Sequence, residues 1–488
     1  MIPVLRPKVE LLRPELVDKI VGEAFGVLER EGVFVENADA RALFHGAGMA
    51  VEEATHRVRI GRRLIEESLA AAPASFSLWD RTGTREFTIG GDEVHFDPGS
   101  TAPRLFDSET GRERKGLTAD VVKIARLTDA CEHIHFQSTA LIASDVPPIV
   151  GDSYRLFLGL LYSAKPIVTG TFRVAGFAPM LDMLAAVRGG REELRRKPLA
   201  IFDACPSPPL KWSDLTAQSL IDAARAGVPS ELISMSLTGA TAPVTLAGAL
   251  VQHTAENLSG LVICQLARRG APVVFGGSPA SFDMRKGTTP MGAVETMMID
   301  MAYAQIGKAL KLPTHAYMGL SDAKLLDAQS GFETGIGAVL AALAGINVVS
   351  GPGMLDFEST LSPEKLLIDD DICAMAYRLL AGVAQRDEPI AEALFAGIGP
   401  ETQFLTLPHT RTWYRAEHIR SALADRDTYD AWDAAGRTSI GDRAAERVKT
   451  LLATVPPNLP DAALRRELRG IMEADGRRNG LERLPDLP

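Results

Sequence analysis

The chain has 488 residues, 46% apolar and 23% charged, the balance of a globular protein long enough to bury a large core. Its net charge of −10 excludes a nucleic-acid binder that works through a basic patch. The four cysteines, Cys131, Cys205, Cys264 and Cys373, form no C-x-x-C pair, which excludes a zinc ribbon or a disulfide scaffold and points to a reducing, cytoplasmic setting.

The first residues, MIPVLRPKVELLRPE, hold no apolar run, so no signal peptide is expected. Val17, Ile20, Val21, Ala24, Val27 and Leu28 recur at helical spacing and predict a helix that ends near Gly32. EFTIGGDEVHF alternates about Gly90-Gly91-Asp92, which predicts a hairpin with Phe87 and Ile89 facing Val94 and Phe96. Thr118 is placed to cap a helix running to about Cys131.

From His133 onward short apolar runs alternate with longer helical patterns. Strands are predicted at 134–140, 166–172, 199–205, 231–237, 272–277, 314–319, 346–351 and 402–408, each followed by a helix. The expected architecture is a (β/α)8 barrel at 133–434, preceded by an α+β extension at 1–132 and followed by a helical tail at 435–488. The long uncharged stretch at 232–255 is broken by Gly239 and Pro243 and reads as strand, loop and helix rather than a membrane span.

In such a barrel chemistry sits on the loops after the strands. The richest loop carries Asp322, Lys324, Asp327 and Gln329 where a helix begins. Capping by Asp322 and pairing of Lys324 with Asp327 explain these residues at least as well as catalysis does. Lys324 could alternatively form a Schiff base, as in a barrel lyase. His133 and His135 fall at the N-terminal end of a strand, where a structural role is expected, and no H-E-x-x-H is present. The Asp369-Asp370-Asp371 run reads as negative charge at a helix start rather than a metal cluster. No nucleophile elbow, P-loop or dinucleotide fingerprint occurs.

Four stretches carry a resemblance: GGDEVHFDPGSTAPRLFDSETGRERKGLTADVVKIARLTDA, GATAPVTLAGALVQHTAENLSGLVICQLARRGAPVVFGG, SDAKLLDAQSGFETGIGAVLAALAGINVVSGPGML and SPEKLLIDDDI. The chain is similar over nearly its whole length, from about 10 to 455, to the trimethylamine methyltransferase family. The resemblance implies a (β/α)8 barrel that moves a methyl group from a methylated amine to the cobalt of a corrinoid on a separate small protein. The family archetype places pyrrolysine in the sixth strand's loop. Here Met318, Gly319 and Leu320 occupy that region with ordinary residues only. Members without pyrrolysine are implied to use quaternary amines such as glycine betaine, proline betaine or carnitine. No D-x-H-x-x-G corrinoid motif is present, so the cofactor is expected on the partner. A homo-oligomer is expected as well.

A quaternary nitrogen needs aromatic faces or a carboxylate, and a betaine carboxylate would need Arg, His or N–H donors. Aromatics are only 6% of the chain, and the cage candidates are Phe106, Phe172, Phe202, Tyr317 and Trp413, with Tyr317 and Trp413 preferred. Arg173, His409 and Arg411 are the candidate anion anchors. Asp322, Lys324, Asp327, Gln329 and Glu333 match the family's sixth-loop motif and are expected to line or brace the site. Gly351 and Gly353 match its seventh loop and are expected to make room for substrate or corrinoid. A betaine-binding protein without turnover is the non-enzymatic alternative.

Overall fold

The computed structural model describes residues 2–487. Helix Pro14–Arg30 forms as its spacing predicts and buries Val17, Ile20, Ala24 and Leu28. The expected hairpin does not form as drawn. Glu86–Gly90 pairs antiparallel with Ser75–Trp79, and the segment after the Gly90-Gly91 turn leaves to join a parallel sheet. Alternation alone cannot say which neighbour a strand takes.

Eight short parallel strands organise the molecule: β1 His95–Asp97, β2 Gln137–Ser138, β3 Ile167–Gly170, β4 Ala200–Ala204, β5 Ser230–Ser234, β6 Val273–Gly277, β7 His315–Tyr317 and β8 Val348–Ser350. They pair as a five-stranded sheet, β6-β5-β4-β3-β2, and a three-stranded sheet, β7-β8-β1. Single parallel bridges, Phe96 to Ile134 and Phe275 to Thr314, join the two sheets at both seams. A helix follows every strand, from Thr118–Ala130 after β1 to Pro363–Leu380 after β8.

One predicted strand is wrong. Residues 402–408 hold no strand, only the 3-10 turn Phe404–Thr406, and β1 from the expected N-terminal extension takes the eighth place instead. The sheet therefore crosses the boundary expected at 132/133. Thr118 is the first helical residue rather than the cap; the Asp120 side chain accepts from Leu117 N at 2.9 Å.

The sheets' inner faces meet in an apolar plug of Phe136, Val168, Ile201, Val274 and Val348, closed from below by Leu78, Phe87 and Ile89 of the hairpin. Buried His95 and half-buried His135 flank this end, their Nδ1 atoms 3.0 Å apart, and desolvation lowers them to about 4 and about 3, so both are neutral structural rings. The Asp369-Asp370-Asp371 run lies inside helix Pro363–Leu380, not at its start. Asp370 accepts from His133 N at 2.8 Å, and Asp369 pairs with Lys365. The tail folds into helices Ile440–Thr454 and Ala462–Arg478, which pack on the chain's own helices Pro363–Leu380 and Phe177–Arg188. Among the described residues no helix is long and apolar enough to cross a membrane.

Candidate active site

Side chains alternate along a strand, so a residue two positions beyond the plug also points inward. Ile201 and Val348 belong to the plug, and two residues on stand Asp203 and Ser350. The register sets Asp97 beside Ser350 and Glu231 beside Asp203 and Val274. A polar layer of Asp97, Asp203, Glu231, His315 and Ser350 thus lies directly above the plug. Gly276 makes room for it: a Cβ there would sit 2.9 Å from His315 Cβ.

A fourth acid arrives from the loop after β8. Asp356, Phe357 and Glu358 all hold left-handed φ values, of 51°, 54° and 69°, which non-glycine residues rarely adopt. That turn carries Glu358 to Ser100 N, 2.9 Å from Oε1. Tyr317 completes the group: its hydroxyl donates to Ser100 O at 3.3 Å, and its ring meets His315 edge-on at 4.9 Å between centroids.

These carboxyls are short of partners. Asp97 Oδ1, Asp203 Oδ1 and both Glu231 oxygens are buried with no hydrogen-bond donor. Ser350 Oγ donates to Asp97 Oδ2 at 2.8 Å, and His315 Nε2 lies 3.1 Å from that hydroxyl. Burial pushes Asp97, Asp203, Glu231 and Glu358 above the ordinary carboxylate range, and repulsion from neighbouring acids adds to this at Asp97, Glu231 and Glu358. Burial also raises the Tyr317 phenol, and all four acids push it the same way. His315 is lowered to about 3 by burial and is neutral. Asp203, Glu358, Thr101 and Gly170 are half-buried beside this layer, so water-sized space reaches them. Among the described residues no three His, Cys, Asp or Glu side chains converge as a bound metal would require. Three acids with unpartnered oxygens, Asp97, Asp203 and Glu231, thus lie beside the aromatic face of Tyr317, with Glu358 held next to them on Ser100 N.

The structure separates the sequence-derived candidates. Tyr317 stands among the acids. Phe172 stands at the strand ends, 57% exposed, with the Arg155 guanidinium 4.8 Å from its ring centroid. Phe202 points outward and packs on Phe177. Phe106 packs with Ala323 and Leu355 and borders a groove of about 600 Å³ against the tail.

Trp413 and His409 do not reach the site, because the strand expected to lead into them is absent. They lie on helix Pro408–Glu417 and bind Asp387 at 2.7 and 3.3 Å. That helix is tied through Glu417 to Arg378, in the last turn of helix Pro363–Leu380 and hence at the opposite end of the strands. Arg411 is exposed on the same helix. Arg173 is no free anchor either: Asp475 of the tail binds it at 2.6 Å.

The sixth-loop motif forms a brace beside the acids rather than part of them. Asp322 accepts from Met291 N and Gly292 N at 3.0 and 2.9 Å. Glu333 accepts from Ser321 Oγ and Asp322 N at 2.6 and 2.8 Å, and from Gln329 at 2.9 Å. Asp327, not Asp322, caps helix Ala328–Leu343. Lys324 pairs with Asp356 at 3.3 Å, not with Asp327, and its side chain is 59% exposed. Met318 and Leu320 are buried. Gly319 and Gly351 make room for protein rather than ligand: a Cβ on Gly319 would meet Pro352 at 2.7 Å, and one on Gly351 would meet Gly319 and Leu320 at 2.8 Å. Gly353 faces Leu361 and Leu366 in the same way.

Asp97, Asp203, Glu231, His315 and Glu358 are absent from the sequence-derived candidates. The available signal is an acid or histidine inside an otherwise short apolar strand run, as in VHFD, AIFDA, SELIS and THAY.

Residues 2–478 match the trimethylamine methyltransferase (MTTB) family. The chain is 31% identical over 447 residues to trimethylamine methyltransferase MttB of Desulfitobacterium hafniense, covering 92% of this chain and 90% of that one. It is 33% identical to MttB of Methanosarcina barkeri, covering 92% and 91%. It is 30% identical over 480 residues to a glycine betaine methyltransferase of Desulfitobacterium hafniense, covering 98% and 99%. In fold it is similar to the monomethylamine methyltransferase MtmB of Methanosarcina barkeri, with a TM-score of 0.53 at 11% identity, covering 97% of this chain and 88% of that one.

Proposed function

The chain belongs to the trimethylamine methyltransferase family and is an enzyme of the methyltransferase class; from that premise we propose that it moves a methyl group from a quaternary amine to the Co(I) corrinoid of a separate corrinoid protein. The observation that carries this reading is the layer of four acids around Tyr317, three of them with unpartnered buried oxygens. Eight parallel strands whose two sheets are bridged at both seams support a (β/α)8 barrel, with this layer inside it above the apolar plug.

A quaternary ammonium cannot shed its charge by losing a proton, so only negative charge and aromatic faces can hold it. Asp97, Asp203, Glu231 and Glu358 supply acceptor oxygens whose ionised form a bound cation favours, and Tyr317 supplies the face. Loss of a methyl group turns the cation into a neutral tertiary amine, so no side chain has to protonate the leaving group. The chain's work is to hold the ammonium head, aim one methyl outward and exclude water. Too much negative charge would favour the bound cation over the transition state, in which that charge is fading.

The corrinoid, when presented by its partner, supplies the nucleophile that accepts the methyl. Phe172, Val244 and Met284 stand 57%, 63% and 67% exposed on the loops after β3, β5 and β6, an apolar edge suited to a partner protein. The Schiff-base alternative loses its support because Lys324 is exposed and ion-paired.

The test is incubation of the full chain with a reduced corrinoid protein and a panel of quaternary amines, followed by the cobalt spectrum. A methylated corrinoid with at least one amine is expected. No spectral change with any amine and an authentic partner would overturn the proposal.

A further inference from the structure

We infer that the cation accepted at this site carries no carboxylate: it is a quaternary ammonium with an uncharged or hydroxyl-bearing tail, choline-like rather than betaine-like. This inference rests on the proposed methyl transfer and narrows its substrate.

Glu231 is fully buried, and neither of its oxygens has a donor in the protein. Asp97 and Asp203 each aim one further unpartnered oxygen into the same layer. A trimethylammonium head satisfies such groups. The bound ammonium favours their ionised form, and a carboxylate attached one to four atoms away would share the enclosure with them and be repelled, with little solvent screening.

A zwitterion would be tolerated if a cation stood ready for its anionic end, but the cations near the strand ends are committed elsewhere. Arg155 donates to Thr101 Oγ1 at 2.7 Å and to the carbonyls of Thr139 and Gly151 at 2.6 and 3.1 Å. Arg173 is bound by Asp475 at 2.6 Å, and Lys324 by Asp356 at 3.3 Å. His315 offers no substitute. Ser350 Oγ gives its hydrogen to Asp97, so it receives the Nε2–H of His315, and the imidazole turns a lone pair at Nδ1 to its surroundings. Choline-type, tetramethylammonium and betaine ions share one head and differ in this anion, so the acids discriminate among them by charge alone.

The test is calorimetric titration of the full chain with choline, tetramethylammonium, glycine betaine and carnitine, without any corrinoid. Choline or tetramethylammonium is expected to bind at least tenfold more tightly than either zwitterion. Glu231→Gln, with its fold checked by circular dichroism, is expected to shrink that ratio. Betaine or carnitine binding as tightly as choline would overturn the inference and leave the methyl-transfer proposal standing. Binding of no ammonium ion would overturn both. The ranking on the unaltered chain decides the matter even if the variant fails to fold.

Discussion

Lys365→Met probes how the loop after β8 is held. Lys365 Nζ sits 2.6 Å from Asp369 Oδ2 and 2.7 Å from Thr334 Oγ1, and both members of the pair are 1% exposed. Asp369 Oδ2 also accepts from Gly353 N at 2.6 Å, so the pair fixes the loop that leads to Glu358. Burial keeps Asp369 above its ordinary value despite the lysine and the Gly353 N–H, which means that the ion pair only just offsets its own desolvation. Removing the lysine leaves an uncompensated buried carboxylate, at a cost of about 3–5 kcal/mol. Unfolding entropy for 488 residues is roughly 1 kcal/mol per kelvin, so Tm should fall by about 3–5 °C.

Denaturant unfolding of the unaltered chain, the single variant and Lys365→Met/Asp369→Asn measures this directly. The double variant keeps an acceptor for Gly353 N without the charge, and should recover the loss to within about 1.5 kcal/mol. The single variant's deficit should also shrink on acidification, because protonation removes the stranded charge. A single-variant cost below about 1 kcal/mol, or a double variant no better than the single, would refute the reasoning.

Other expectations follow from the same geometry. Lys324→Ala should leave turnover within about twofold, and borohydride with carbonyl compounds should trap no adduct at Lys324. Trp413→Ala should leave ammonium affinity unchanged in calorimetry while lowering stability by about 1–2 kcal/mol through the lost Asp387 hydrogen bond. Asp322 is raised to about 6, chiefly by burial with Glu333 adding, against an ordinary value of 3.8. A raised acid contributes stability that is complete below 3.8 and lost as pH rises through about 6, so Asp322→Asn should flatten the stability–pH curve over that window. An unchanged slope would exclude Asp322 as its source.

Much of the fold was legible because parallel strands covered on both faces leave apolar runs, and seven of eight announced themselves in this way. The eighth, His95–Asp97, is only three residues long and follows a Gly-Gly turn, so local pattern assigned it to the hairpin beside it. Only the parallel pairing with Val348–Ser350, some 250 residues away, shows where it belongs. That one error displaced the site: a strand imagined at 402–408 drew His409 and Trp413 toward the acids, while Asp97 was left out. Tyr317 was legible as the last residue of a strand. Glu358 was not, because its placement depends on a left-handed run that no residue in DFE signals.

That run has a consequence for the stability of the whole molecule. Each left-handed non-glycine residue costs about 1–2 kcal/mol, so Asp356, Phe357 and Glu358 together tax the native state by several kcal/mol, of which glycine at one position would refund part. Phe357→Gly removes a ring that sits 3.9 Å from the Lys324 ammonium and frees the backbone that aims Glu358. A stability screen would therefore select such a change readily, and the selected protein would resist heat better while presenting its fourth acid less firmly. Laboratory evolution for robustness and for ammonium affinity should thus pull residue 357 in opposite directions.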